Sequence, residues 1–247
     1  MAVDSDLTAV LESLRPTRAD TGLVGADPEQ CARALEVDGV AASVTTDSGL
    51  SEVVWACGGA SARLEELQFT LGQGPGPQTS ACCAPVLVPD LARVPAGRWP
   101  VLLPEATELG IGAVFCFPLA VGGACLGTLT LQRAAPGPLA DAPMTDAWLV
   151  ANALTAVLLE GGPPRDAFAA GQKGSDFYGA AVHQASGMVS VQAGIPVSRA
   201  LLRLRAHAFR HGRSLTEVAG DVVARRLSFR DDENGPDTAA GEGTEGP

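Results

Sequence analysis

The sequence predicts an α+β domain followed by a separate all-α bundle of three helices. Three observations carry this. Two glycine-centred hairpins lie between helical segments in the first two thirds of the chain. Three capped helices follow one another closely near the end. The charge changes sign between the two parts: residues 1–175 hold 9 basic and 19 acidic side chains, whereas residues 176–230 hold 8 and 3.

The strands come from alternating β-branched runs bounded by turn residues. Residues 39–46 read as a strand and 50–57 as its partner across Asp47-Ser-Gly49. Residues 61–68 are helical by composition and end before Gly72. The run Gly72-Gln-Gly-Pro-Gly-Pro77 reads as a rigid turn, because its prolines lack the N–H groups that a phosphate cradle uses. Residues 86–88 form a short strand, 99–109 a helix, and 112–121 with 124–132 a second hairpin around Gly122-Gly123. An apolar helix over 144–160 closes the region, so helices flank antiparallel strands. Gly161-Gly-Pro-Pro164 and Gly171-Gln-Lys-Gly174 mark a linker over 161–175.

In the last part, residues 178–193 form a helix that stops at Gly194-Ile-Pro196. Ser198 caps a second helix that runs to about His211. Ser214-Leu-Thr-Glu217 is a capping box that opens a third helix, running to about Ser228. At 100° per residue, Leu201, Leu204 and Ala208 share one face of the second helix, and Arg199, Arg203, His207 and Arg210 share the opposite one. Arg205 falls in the apolar sector and is expected to be paired or snorkelling. Residues 230–247 contain six acidic and no basic residues after Arg230, with several Gly and Pro, and read as a disordered tail.

Composition excludes several function classes. With 46% hydrophobic and 18% charged residues the chain can bury a core, which excludes wholesale disorder. The longest apolar runs are broken before 18 residues and the first 14 residues carry three acids without a basic cluster. No membrane span and no secretory leader are therefore expected, and the location is expected to be cytoplasmic. Lys173 is the only lysine, which removes Walker A and kinase chemistry. Residues 1–175 contain no histidine, so neither a His-based triad nor a His-ligated metal is possible there. The six cysteines have no zinc spacing and are expected to be mostly buried small hydrophobes, with Cys82-Cys83 a minority redox candidate. The chain is expected to be no enzyme and to hold no metal or cofactor.

The segments Val182-His-Gln-Ala-Ser-Gly-Met-Val189, Ala200-Leu-Leu-Arg-Leu-Arg-Ala-His-Ala-Phe209, Gly212-Arg213 and Val222-Val-Ala-Arg-Arg-Leu227 together resemble an ANTAR domain over about 176–229. Upstream, Leu35-Glu-Val-Asp-Gly-Val40, residues 64–72, Val86-Leu-Val-Pro-Asp-Leu91 and Phe115-Cys-Phe-Pro-Leu119 resemble the GAF domain that precedes ANTAR in actinobacterial regulators. Where that loop usually has a cysteine, this chain has Gly76. The resemblance implies a GAF-like sensory domain over 1–160, with its antiparallel sheet flanked by helices, then an all-α three-helix ANTAR bundle. It implies a signal-responsive antiterminator that binds stem-loops in mRNA leaders, and an unidentified small-molecule ligand for the GAF domain. His183, Gln184, Arg199, Arg203, Arg210 and Arg213 are the expected RNA contacts. A homodimer is expected, with Trp148, Leu149, Ala153, Ala156 and Leu159 as its seam. Two other readings stay open: a helix-turn-helix-like DNA binder, and a GAF domain acting only as a dimerisation scaffold.

Overall fold

A computed structural model describes residues 5–15, 26–45, 51–160 and 178–229. The chain divides into two units, Met1–Tyr178 and Gly179–Pro247. The expected turn at 47–49, the linker and the acidic tail lie outside the described residues.

The first unit is built on a five-stranded antiparallel sheet in the order β2-β1-β5-β4-β3. Its strands are β1 (Gly39–Thr45), β2 (Ser51–Ala56), β3 (Val86–Val88), β4 (Ala113–Val121) and β5 (Ala124–Arg133). Helices α1 (Ser5–Ser13), α2 (Pro28–Ala34), α3 (Ala60–Leu71), α4 (Pro75–Cys82), α5 (Leu102–Glu108) and α6 (Asp141–Glu160) surround it. The second unit holds α7 (Tyr178–Ala193), α8 (Val197–Arg210) and α9 (Leu215–Val223).

Strand pleating separates the sheet into two different faces. Val40, Ala42, Val44, Phe115, Phe117, Leu119, Leu129 and Leu131 point to one side, where they form a continuous apolar core with α1, α2 and α6. Val114 and Cys116 of β4 and Val86 and Val88 of β3 join Leu64, Trp99 and Leu102 in a second core on the other side. The alternate residues of the central strands on that side are polar: Ser43 of β1, and Thr128, Thr130 and Gln132 of β5, all buried. Gly127 lets β5 approach β1 closely, since a Cβ there would fall on the Ser43 carbonyl oxygen and within 3.0 Å of Val44 Cα.

Several boundaries differ from expectation for local reasons. The proline-rich run is a turn only over Gly72–Gly74. Pro75 and Pro77 then open α4, where their missing N–H groups would have lacked helical partners anyway. α5 begins at Leu102 rather than Trp99, because Pro100 disfavours helical backbone at the residue before it. α6 starts a turn earlier than expected, at Asp141, and carries Pro143 in its first turn. Pro196, not Ser198, is the N-cap of α8; its carbonyl accepts from the Arg199 and Ala200 N–H groups. α9 ends at Val223 instead of about Ser228, because Arg225 takes a left-handed backbone (φ 59°) and the Arg226 and Leu227 N–H groups turn back to the Asp221 carbonyl.

α6 spans 20 residues and by length and composition alone could cross a membrane. It buries Ala147, Val150, Ala151, Leu154, Val157 and Leu158 in the core, as a helix covering a sheet does.

Candidate functional site

Two places combine chemistry with organisation, one in each unit. The first is the polar interior on the second face of the sheet. Helix α3 aims Glu65 and Gln68, three residues apart and so on one face, at the polar strip of β1 and β5. The Ser43 hydroxyl donates to Glu65 Oε2 at 2.8 Å, and Gln68 Nε2 donates to Glu65 Oε1 at 2.9 Å. The Gly76 N–H, at the start of α4, donates to Gln68 Oε1 at 2.7 Å. A relay of hydrogen bonds therefore runs from β1 through α3 to α4. Beside it, Gln132 Nε2 donates to the Ser61 hydroxyl at 3.0 Å.

Burial pushes the Glu65 carboxyl above the usual carboxylate range, against hydrogen bonds from Ser43, Thr130 and Gln68 that pull it down. Its neighbour Cys116 is pushed up by burial first and by Glu65 second. Thr79 Oγ1 and Gln132 Oε1 are buried without a hydrogen-bond partner. Unpaired buried polar atoms cost about 1–3 kcal/mol each. No sequence expectation named these residues. The signal was present: Thr128, Thr130 and Gln132 alternate with Leu129 and Leu131 at the period of a strand.

A surface groove of about 590 Å³ is lined by Leu87, Pro89, Asp90, Arg93, Arg98 and Pro138, among others, and shares no residue with this cluster.

The second place is α8. Ala200, Leu204 and Ala208 are fully buried, while Arg199, Arg203 and Arg210 are exposed on the opposite side. The helix is held at its end by Gly212, whose left-handed backbone (φ 59°) lets Arg213 N–H return to the Ala208 carbonyl. Of the other expected contacts, Gln184 is exposed and His183 half-buried, both on α7. Arg213 is held by Asp221 at 2.6 Å, and Asp221 also takes Arg226 at 2.7 Å. These two arginines hold the Asp221 carboxyl below its ordinary range. Arg213 thus stands in an ion pair, outside the arginine stripe. Arg205 is half-buried with its Nε unpartnered, and burial lowers its pKa.

Sequence reasoning missed Leu202 and Phe209, which are 65% and 55% exposed. At 100° per residue both fall beside the arginines, away from the buried face. Their angular positions could have revealed them.

A five-stranded antiparallel sheet of this order, with helices on both faces, defines an α+β domain. Residues 29–151 match the GAF domain, and this part of the chain is a GAF domain. The structure is similar to the GAF domain of a phosphoenolpyruvate-protein phosphotransferase from Coxiella burnetii, at 16% identity and a TM-score of 0.48, covering 62% of this chain and 90% of that one. It is also similar to the GAF domain of an Acinetobacter phosphoenolpyruvate-protein phosphotransferase, at 12% identity and a TM-score of 0.47, with the same coverage. No curated protein matches the chain in sequence.

Proposed function

We propose that the chain is a signal-responsive RNA-binding regulator of the ANTAR type, acting by transcription antitermination. The observation that carries this is α8: three exposed arginines on one face, three buried small or aliphatic residues on the other. Such a face suits RNA loops, whose splayed bases stack on guanidinium planes and aromatic rings while phosphates take the charge. Phe209 adds an exposed ring beside the stripe. Gln184 and His183 add hydrogen-bonding groups on α7. The GAF domain acts as the sensor, and its polar interior around Glu65, Gln68, Thr79 and Gln132 receives a small polar ligand. The protein works in the cytoplasm by binding, not catalysis.

A homodimer fits this reading, because two linked bundles raise effective concentration at a paired RNA element. On α6, Trp148, Leu149 and Leu159 are 36%, 38% and 58% exposed, an apolar face of the kind a second copy covers. Ala156 is exposed with them, while Ala153 is half-buried. Light scattering of the full chain should give twice the mass of one chain; a mass of one chain, with and without RNA, overturns the dimer.

A DNA-binding role is the second reading, since a basic helix also fits a major groove. Fluorescence anisotropy with a labelled RNA stem-loop pair, and with a DNA duplex of the same sequence, separates the two. Tighter binding to the RNA at equal salt is the expected result, and equal or tighter binding to the duplex overturns the proposal.

A further inference from the structure

The groove of about 590 Å³ lies at one edge of the sheet, where Leu87, Val88 and Pro89 line it. β3 is the last strand in the order and pairs with β4 on one side, Leu87 opposite Phe115. Among the described residues no strand pairs with its other edge. A bare strand edge offers backbone N–H and C=O groups to any extended chain that reaches it. Leu87, in the middle of β3, is 42% exposed, which adds an apolar contact at the same place.

Two stretches of loop complete the groove, and both are fixed by hydrogen bonds of their own. The Gly137 N–H donates to the Pro89 carbonyl at 2.7 Å, and Arg133 Nη2 donates to the Gly137 carbonyl at 3.1 Å. In the other stretch, Leu91 N–H donates to the Gly112 carbonyl at 2.9 Å and Arg98 N–H to the Pro95 carbonyl at 2.9 Å. Pro89, Pro95, Pro136 and Pro138 fix their own φ angles, so the lining has little backbone freedom left to lose on binding.

The charge of the groove is opposite to that of the domain around it. Residues 26–160 hold 14 acidic side chains and five arginines. Arg33 pairs with Asp27 at 3.9 Å and Arg63 with Glu66 at 2.6 Å. Arg93 and Arg98 line the groove, Arg133 holds its Gly137, and none of these three pairs with a carboxylate among the described residues. Arg93 is exposed, without a side-chain partner among those residues. Arg98 Nη2 donates to Gln78 Oε1 at 3.0 Å, and its guanidinium lies 4.4 Å from the centre of the Trp99 ring. Asp90 is the one carboxylate in the lining, and its Oδ1 accepts from the Ala92 N–H at 3.0 Å.

We infer that this groove docks an extended acidic segment of a partner protein, which adds to β3 as a further strand. The main chain of the segment pairs with the outer edge of β3, and an aliphatic side chain covers Leu87. Asp or Glu side chains at neighbouring positions meet Arg93 and Arg98, whose planar guanidinium groups take carboxylates in two-point contacts and so fix the register. A small molecule suits the groove less well. Such ligands are held by burying most of their surface, whereas Leu87, Pro89, Arg93, Arg98 and Pro138 are all exposed. β3 has only three residues, so main-chain pairing is short and the arginines carry the selectivity. The site is independent of RNA binding.

A display library of random heptapeptides, selected on the full chain, supplies the probes. Enriched peptides should combine acidic and aliphatic residues. In fluorescence anisotropy, a labelled enriched peptide should bind Arg93→Glu about tenfold more weakly than the wild type, because an attractive pair becomes a repulsive one. Leu87→Glu, a second change at an exposed position, should weaken binding as well, and circular dichroism checks the fold of both. The combined Arg199→Ala, Arg203→Ala and Arg210→Ala variant should bind the peptide as the wild type does. Hydrogen exchange in the saturated complex should slow amides within 86–88. A library without enriched peptides, enriched peptides without acids, or folded Arg93→Glu and Leu87→Glu with wild-type affinity would overturn the inference. So would loss of binding in the α8 variant, or protection that spares 86–88.

Discussion

At the scale of single residues, two positions in the GAF domain make opposite demands. Glu65 is a carboxyl with its ordinary proton affinity raised by burial. Above about pH 4.5 the unfolded chain releases this proton while the folded chain retains it, so folding stability falls as pH rises until the folded group titrates. Glu65→Gln cannot titrate, and its stability relative to the wild type should therefore climb between pH 4.5 and 8. Trp55, Trp99 and Trp148 are the only tryptophans and all lie in this unit, so fluorescence-detected urea unfolding reports it selectively. A difference that stays flat with pH would mean that Glu65 is ionised in place. Gly127 makes a steric demand instead. Gly127→Ala sets a methyl group against the backbone of Ser43 and Val44, which cannot yield without parting β5 from β1. A loss of about 1–3 kcal/mol is expected, the range for forcing extra volume into a packed site. Wild-type stability would show that the two strands can separate at little cost.

At the scale of elements, α8 offers the cleanest division between binding and folding. Replacing Arg199, Arg203 and Arg210 together with Ala removes exposed side chains, so helical dichroism and melting should hardly change. If each contacts one phosphate, the slope of log K against log salt should fall by roughly 0.7 per contact, about 2 in all. Leu204→Ala should do the reverse, costing about 2–5 kcal/mol of stability, because Leu204 is fully buried. An intact triple variant with unchanged affinity and salt slope would make the stripe ordinary surface. The elements also show what sequence could reveal. Both hairpins, the faces of α8 and the capping box at Ser214 are written in local patterns of two, three or four residues, and they were legible. The start of α4 was hidden because proline signals turns and first helical turns alike. The interior around Glu65 was hidden for a different reason. Ser43, Glu65, Gln68 and Gln132 meet only through tertiary packing, the closest two being three residues apart and the farthest 89. Arg213 shows the same limit, since its ion pair with Asp221 joins the loop before α9 to a residue in that helix's last turn.

At the scale of the whole molecule, charge is segregated along the chain. Residues 176–230 carry a net charge of +5, and residues 231–247 carry −6 from Asp231, Asp232, Glu233, Asp237, Glu242 and Glu245. A tethered acidic segment is present at high effective concentration near any basic face within its reach, whereas RNA must arrive from bulk solution. Six carboxylates and three arginines interact mainly through long-range attraction, which a Debye length of about 10 Å at 0.1 M salt weakens and one of about 30 Å at 0.01 M does not. Competition between tail and RNA should therefore be strongest at low salt. Truncation after Arg230 should tighten binding to an RNA stem-loop, with a larger gain at 0.01 M than at 0.1 M salt. Combining the truncation with Arg199→Ala, Arg203→Ala and Arg210→Ala should abolish that gain, because the tail then has no stripe to cover. Fluorescence anisotropy at the two salt concentrations measures both effects. Equal affinities of the full and truncated chains at 0.01 M would make the tail a solubilising segment without a regulatory role.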